Sequence, residues 1–254
     1  MNPKNGETVL MVINDDGIRL SAVLEKPEDS ECRRIVIVLH GFSSAKDRLH
    51  TIQAAEAMRE AGFATLRFDL YGHGESGGEF RKHTLFKWIG NTMTVIDAVR
   101  EMGYAELWLS GHSQGGLVAA LVAGMEPDRI RGLILRAPAF MIPACAREGN
   151  MLGCIIDPEH IPDEIPVIKN LTLDGNYIRV AQTIRVEDAV DRYRGPVLIL
   201  QGDEDDVVTA ESVRNMAKRY TDCRMALIAG ETHHYDRKPD EMQRIIREWM
   251  TAQK

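Results

Sequence analysis

The segment GHSQG at residues 111–115 has the pattern G-x-S-x-G, with Ser113 at its centre. An apolar stretch that predicts a strand precedes it, and an apolar stretch that predicts a helix follows it. On so sharp a strand-to-helix turn, glycines on either side avoid collisions and leave the serine hydroxyl exposed. The helix N-terminus favours negative charge that builds up during attack. The context therefore predicts a nucleophile rather than an incidental serine in a glycine-rich turn.

A serine hydroxyl needs a base to take its proton, and that base needs an acid to hold its tautomer. Where such a serine turn occurs, an acid and then a histidine follow on loops after later strands. The loop GDEDDVV at 202–208 fits G-x-x-D-x-x-V, which selects Asp205. The loop GETHHY at 230–235 fits G-x-x-H, which selects His233, with His234 as the alternative base. Ser113, Asp205 and His233 form the predicted catalytic triad.

An attacked carbonyl also needs backbone N–H donors aimed at the negative charge that develops on its oxygen. One donor belongs to the residue after the nucleophile, which is Gln114. The other belongs to the loop after the third strand, where HGFS at 40–43 follows the apolar run IVIVL. We expect Phe42 to supply it, with His40 as a hydrogen-bonded turn residue. Gln114 and Phe42 form the predicted oxyanion hole.

The elements that must position these loops follow from the hydrophobic pattern. β-Branched runs predict eight strands, and helical periods separate the later ones. A hairpin turn, NDDG at 14–17, joins the first two strands, so we expect antiparallel strands to open a mostly parallel sheet with helices on both faces. The predicted strands are 8–13, 18–24, 35–39, 63–68, 106–110, 132–136, 196–201 and 225–229; the predicted helices are 51–61, 85–101, 114–125, 210–219 and 240–250.

Residues 140–190 interrupt this rhythm. The stretch carries four prolines after Met141 and shows no steady period. Long ordered segments without regular structure are commonly functional, often as lids over a site. The predicted organisation is one α/β domain over residues 1–254, with a small cap insertion at 140–190.

Three other groups of residues could in principle bind phosphate, bind a metal or form a disulfide, but the sequence favours none of these roles. DLYGHGES at 69–76 resembles a phosphate-binding loop but has no lysine, so a structural turn is expected. The scattered histidines have no metal-ligand spacing, which favours surface or turn roles and no metal site. The four cysteines form no CxxC pair and are expected to be reduced, although a pairing of Cys145 with Cys154 stays open.

The composition and charge of the chain limit the kinds of partner that it is expected to bind. The formal net charge is −7 and the basic residues are scattered, so nucleic acid is excluded as an expected partner. Nowhere do ~18 apolar residues run together as a membrane span needs, and the first residues do not resemble a secretory signal. We expect a cytoplasmic protein without a cofactor or a membrane partner, and a homodimer is an open alternative to a monomer.

With these motifs in place, the chain resembles the α/β-hydrolase superfamily, and within it the bacterial cinnamoyl or feruloyl esterases. The resemblance rests on HGFSS at 40–44, FDLYGHGES at 68–76, GHSQGG at 111–116 and the insertion segments DPEHIPDEIP and LDGNYIRVAQTIRVEDAV. It implies hydrolysis of ferulate, coumarate or caffeate esters through an acyl-enzyme, with a small aromatic ester as the partner.

In those esterases the insertion covers the aromatic acyl group. The resemblance implies that Tyr177 points at the phenolic substituent of the ring, although a buried lid tyrosine is the alternative. The earlier part of the cap, which is polar in some members, contains Cys145 and Leu152 here, and these two residues are expected to contact the substrate. Whether the phenol is recognised by hydrogen bonds or by shape alone stays open.

Two rival functions stay open. A cap containing Met141, Ile142, Met151, Leu152 and Ile155 could instead hold an alkyl chain, as in an aliphatic esterase or a monoacylglycerol lipase. A non-catalytic binding protein on the same scaffold is the rival from another class, since fold does not imply function.

Overall fold

The computed structural model describes residues 6–28, 31–151 and 153–253. In chain order the elements are β1 (Glu7–Ile13), β2 (Arg19–Glu25), β3 (Arg34–Leu39), α1 (Leu49–Glu60), β4 (Ala64–Phe68), α2 (Leu85–Glu101), β5 (Glu106–His112), α3 (Gln114–Met125), β6 (Ile130–Arg136), α4 (Ile142–Glu148), β7 (Asn150–Met151), β8 (Cys154–Ile155), β9 (Glu164–Val167), β10 (Leu171–Asp174), α5 (Asn176–Thr183), α6 (Val186–Arg192), β11 (Val197–Gly202), α7 (Ala210–Ala217), β12 (Cys223–Ile228) and α8 (Pro239–Thr251). Short 3₁₀ turns occupy Phe80–Lys82 and Ile168–Asn170.

The central sheet contains eight strands in the order β1-β2-β4-β3-β5-β6-β11-β12. β1 pairs antiparallel with β2, and β2 pairs antiparallel with β4, whereas the remaining neighbours are parallel. All eight predicted strands are present, so the predicted mostly parallel sheet is confirmed. Because parallel strands share one direction, the loops after β3, β4, β5, β11 and β12 meet at the same edge.

Strand β3 shows why both faces of the sheet are covered. Ile35, Ile37 and Leu39 pack into a core with α2 and α3, while Val36 and Val38 pack into a second core with α1 and α8. Alternate side chains of a strand point to opposite faces, so a continuous apolar run needs helices on both sides. Burying each such side chain stabilises the fold by roughly 1.5–3 kcal/mol.

The insertion at 140–190 has more regular structure than its sequence pattern predicted. It contains α4, α5 and two small antiparallel sheets, β7–β8 and β9–β10. Helix α4 begins with a proline in its first turn and ends at Gly149, which adopts a left-handed conformation with φ of 73°. Elements of two to eight residues are too short for a period to show. The boundary predicted at residue 190 falls inside α6.

No helix among the described residues is long and apolar enough to cross a bilayer. Within the same residues, no group of three or more His, Cys, Asp or Glu side chains could hold a metal ion. All four cysteines are free thiols, so the pairing of Cys145 with Cys154 that the sequence left open is not formed.

Candidate active site

The turn between β5 and α3 holds Ser113 in a strained conformation, with φ of 54° and ψ of −120°. A non-glycine residue rarely adopts positive φ, and such strain is commonly found at functional sites. The flanking glycines permit the turn. A Cβ added at Gly111 would lie 2.2 Å from the Gly115 carbonyl oxygen, and one added at Gly115 would lie 2.3 Å from the His40 carbonyl oxygen. The G-x-S-x-G spacing is therefore a steric requirement of this turn.

The loops after β11 and β12 bring an acid and an imidazole together. His233 Nδ1 lies 2.8 Å from Asp205 Oδ2, and the Asp205 carboxylate is fully buried. The backbone N–H groups of Val207 and Val208 donate to Asp205 Oδ1 at 2.9 and 2.8 Å, and Gln201 Nε2 donates to Oδ2 at 3.0 Å.

These contacts determine the protonation of the pair. Burial raises the pKa of Asp205, but the hydrogen bonds from His233, Val207 and Val208 outweigh burial and hold that pKa below its usual range. Because the carboxylate is an acceptor only, a neutral His233 carries its proton on Nδ1 and leaves Nε2 as a proton acceptor. The pair has the arrangement that a general base requires.

Ser113 and His233 line one cavity of about 470 Å³, together with Phe42, Ile168 and His234. His112, the residue before the serine, donates from Nε2 to the His233 carbonyl oxygen at 2.8 Å. This bond ties the loop after β12 directly to the turn that carries the serine. The structure thus brings together the three loops in which the triad was predicted.

The two adjacent histidines of the last loop are distinguished by their surroundings. His233 is buried and bonded to Asp205, whereas His234 is exposed at the cavity rim, with its ring centroid 5.3 Å from that of His233. The geometry favours His233 as the base.

The loop after β3 lies against the nucleophile. A Cβ added at Gly41 would lie 3.1 Å from Ser113 Cβ, so only glycine fits without displacement. Phe42 follows in a turn closed by a hydrogen bond from Ser44 N to Gly41 O at 3.2 Å, with Ser43 at φ of 50°. Gln114 is the first residue of α3, whose first N–H groups have no acceptor within the helix. Both predicted oxyanion donors therefore belong to segments adjoining Ser113.

The predicted substrate contacts in the cap are placed differently. Tyr177 is fully buried, and its hydroxyl donates to Gln114 Oε1 at 2.7 Å. Cys145 is half-buried in α4 and packs against the core. Among the described residues that line the cavity, neither of these two is present, and Leu152 lies outside the described residues. Of the described cap residues, Ile168 lines the cavity, and no periodic pattern in the sequence marks it.

A surface role, one of the two expected for the scattered histidines, is wrong for several of them, although His73 does lie in a turn. His73, His83 and His112 are buried, as is His40 in the loop after β3. Burial, with repulsion from neighbouring histidines, lowers the pKa of both His40 and His83 to about 3. His83 donates from Nδ1 to the Phe80 carbonyl oxygen at 2.6 Å. These imidazoles are neutral packing and hydrogen-bonding groups beneath the site.

An eight-stranded sheet with a serine turn, an acid loop and a histidine loop at one edge defines the α/β-hydrolase class. The family described as serine aminopeptidase S33 matches residues 30–155. Est1E from Butyrivibrio proteoclasticus, solved with ferulic acid bound, superposes with a TM-score of 0.93 and 44% identity, over 96% of this chain and 99% of that one. The chain belongs to the α/β-hydrolase family.

Curated relatives match over shorter stretches. Epoxide hydrolase B of Mycobacterium tuberculosis is 29% identical over 127 residues, which are 48% of this chain and 33% of that protein. The monoglyceride lipase of Mus musculus is 26% identical over 132 residues, which are 51% of this chain and 43% of the lipase. The chain thus spans well under two thirds of these relatives, and their activities differ from one another.

Proposed function

We propose that this chain is a serine carboxylic-ester hydrolase that releases hydroxycinnamic acids such as ferulate, coumarate and caffeate from their esters. The observation that carries the proposal is the buried Asp205–His233 pair in the same cavity as Ser113, on a strained turn. The similarity to Est1E with ferulic acid bound, over nearly the whole of both chains, supports the acyl group.

In the proposed reaction, Ser113 is the nucleophile and His233 the base. His233 Nε2 takes the proton of Ser113 Oγ as that oxygen attacks the ester carbonyl, and the N–H groups of Phe42 and Gln114 hold the oxyanion. Collapse expels the alcohol, which receives the proton from His233, and leaves an acyl-enzyme. Water, deprotonated by His233, then attacks and releases the acid. Asp205 stabilises the imidazolium at each stage.

The walls of the cavity suit a flat apolar acyl group. Phe42, Leu49, Ile168 and Val207 contribute apolar surface beside the serine. A role for Tyr177 in contacting the phenolic substituent is part of the proposal, as are contacts from Cys145 and Leu152.

Two measurements test the function. The first is kcat/KM for methyl ferulate against 4-nitrophenyl butyrate; we expect a preference for the ferulate ester of at least about tenfold, the scale of one good pocket contact. The second is labelling by a fluorophosphonate, which should modify Ser113 and be lost in Ser113→Ala. Ser212→Ala, which changes a serine on α7, is the control and should keep full labelling.

The outcomes separate the rivals. A preference for the butyrate ester or for monoacylglycerols would favour an aliphatic esterase, the function suggested by the similarity to monoglyceride lipase. The apolar cap residues proposed for an alkyl chain do not favour it, because Met141, Ile142, Met151 and Ile155 are not among the described residues that line the cavity. Absence of labelling in a folded protein would favour a non-catalytic binding protein.

A further inference from the structure

Two segments at the carboxyl edge of the sheet are joined by an unusual number of buried polar contacts. We call residues 40–46, which carry Phe42, the oxyanion loop, and residues 69–76, which follow β4, the β4 turn. At the first end of the oxyanion loop, His40 Nε2 accepts a hydrogen bond from Leu70 N–H at 3.0 Å. Its Nδ1–H therefore donates to the Gly41 carbonyl oxygen, at 2.8 Å.

The other end of the oxyanion loop is fixed through Lys46. Its backbone N–H donates to Asp69 Oδ1 at 2.7 Å, and its carbonyl oxygen accepts from Arg67 Nη1 at 2.8 Å. Its ammonium donates to Asp69 Oδ2 at 2.9 Å and to Glu75 Oε2 at 2.7 Å, and lies 3.2 Å from Asp47 Oδ2. Both backbone groups and the side chain of Lys46 are thus held by charged residues.

Burying charged side chains in this way costs free energy of folding, which suggests that the arrangement has a function. The side chains of Lys46 and Asp69 are only 2% and 1% exposed, and desolvating two charges offsets much of their attraction. Burial lowers the pKa of Lys46, but hydrogen bonds to Glu75 and Asp69 outweigh burial and hold it above its ordinary value. The β4 turn is shaped around the carboxylate, since a Cβ added at Gly74 would lie 2.1 Å from Asp69 Oδ2. This contact explains the second glycine of DLYGHGES, which the triad leaves without a role.

We propose that Asp69 and Lys46 are positioning residues for the oxyanion hole, which hold the Phe42 N–H at the place where the negative charge develops. The proposal rests on the proposed function. Phe42 lies between the two anchored ends, in a turn whose next residue, Ser43, has positive φ. A turn with this strain keeps its shape only if its surroundings hold it. Neither Asp69 nor Lys46 lines the cavity as described, so they act through the oxyanion loop.

The test measures the oxyanion hole rather than substrate binding. In Asp69→Asn and Lys46→Met we expect kcat for methyl ferulate to fall about 10- to 100-fold, less than the ~100- to 1,000-fold loss of a whole donor, with KM changed by less than about threefold. Affinity for an arylboronic acid, which forms a tetrahedral adduct on serine, should fall in parallel with kcat. Affinity for the product ferulate should not.

Two further variants serve as controls for these measurements. Glu75→Gln changes an exposed partner of Lys46 and should fold even if the buried variants do not; we expect a smaller fall in kcat, with the same parallel loss of boronic acid affinity. Asp191→Asn breaks a surface ion pair with Arg219 and should keep wild-type values.

The outcomes are distinguishable from those of the proposed function. Wild-type kcat and boronic acid affinity in folded Asp69→Asn or Lys46→Met would overturn the positioning role, and so would an effect on KM alone. Because the boronic acid reports on any serine hydrolase, these readouts hold whichever ester is preferred. A wild-type protein inactive on every ester would instead contradict the proposed function.

Discussion

The loops at the carboxyl edge of the sheet and the cap differ in how their polar groups are held. At the sheet edge, polar side chains from one loop fix the next: His112 bonds the loop of His233, and Asp69 bonds the oxyanion loop. In the cap, Gln182 Nε2 and Arg147 Nη1 donate to carbonyl oxygens of the cap itself. The polar groups of the sheet edge are therefore held by neighbouring loops, whereas these two polar groups of the cap are held within it.

A buried hydrogen bond links the two regions beside the serine turn. Tyr177 of α5 donates to Gln114, the residue whose backbone N–H is proposed to hold the oxyanion. Gln114 Nε2 is buried and without a partner in the described part of the chain. Under the proposed function, rate would depend on the sheet edge and acyl preference on the cap, and the two regions would meet at this side chain.

The largest expected effect lies at the sheet edge, where His233 and His234 are adjacent but unequal. His233→Ala should lower kcat about 10⁴- to 10⁶-fold, the loss measured when a triad base is removed. His234→Ala removes a rim side chain and should cost less than about tenfold in kcat/KM. Steady-state kinetics with methyl ferulate checks both, and an equal loss in the two variants would show that the base has been misassigned.

The loops of the proposed triad could be located from the sequence because their requirements are local. Gly111 and Gly115 are needed wherever a strand turns into a helix this sharply, and the spacings of Asp205 and His233 from their preceding glycines mark their loops in the sequence. The choice of His233 was also local, and the structure adds the bond to Asp205 that distinguishes it from His234.

What the sequence did not reveal depends on distant contacts. Lys46 and Asp69 are 23 residues apart, and nothing in either segment marks them as partners. The burial of His83 and the contact from Tyr177 to Gln114 likewise arise from packing between elements far apart in the chain. Polar residues in short turns are usually exposed, so their burial here could be found only from the fold.

The next prediction concerns stability in acid, which should depend on the histidines whose pKa values are lowered. Burial lowers the pKa of His40 and His83 to about 3 and that of His50 to about 2, and holds the pKa of His112 well below 6.5. Their folded pKa values lie below the unfolded value, so their contribution is complete above pH 6.5 and is lost as pH falls from 6.5 toward 3. Below pH 6 the four should together lower the free energy of unfolding by about 5 kcal/mol per pH unit.

Urea unfolding at pH 8.5, 7.5 and 5.5 measures this dependence. The midpoint should change little between the first two values and fall clearly at the third. A midpoint that stays constant down to pH 5 would mean that these imidazoles are protonated in the folded protein, and the contrast between a buried polar sheet edge and the cap would weaken.

A smaller effect is expected where the two regions meet. Tyr177→Phe leaves Gln114 Oε1 buried without its donor, which should cost about 1–3 kcal/mol of stability. If Tyr177 also contacts the phenolic substituent, the preference for methyl ferulate over methyl cinnamate should shrink by roughly tenfold, the value of one hydrogen bond. Tyr193→Phe is the matched control, because that buried hydroxyl donates to Ile130 O at 3.2 Å within the core. It should lose stability and keep the preference; equal preferences in all three proteins would remove Tyr177 from the acyl site.

The smallest change in stability is expected from a reducing agent, because Cys145 and Cys154 form no disulfide in the cap. A disulfide between Cys145 and Cys154 would close a short loop and add about 3 kcal/mol, which in a chain of this size raises Tm by roughly 6–12 °C. Since both thiols are free, dithiothreitol should change Tm by less than ~1 °C. Without reductant, alkylation of the unfolded protein should modify all four cysteines, which intact-mass spectrometry would show. In the native protein Cys223 should react slowly, because burial raises the pKa of its thiol to about 11. A drop in Tm of several degrees on reduction would instead mean that the cap is covalently closed.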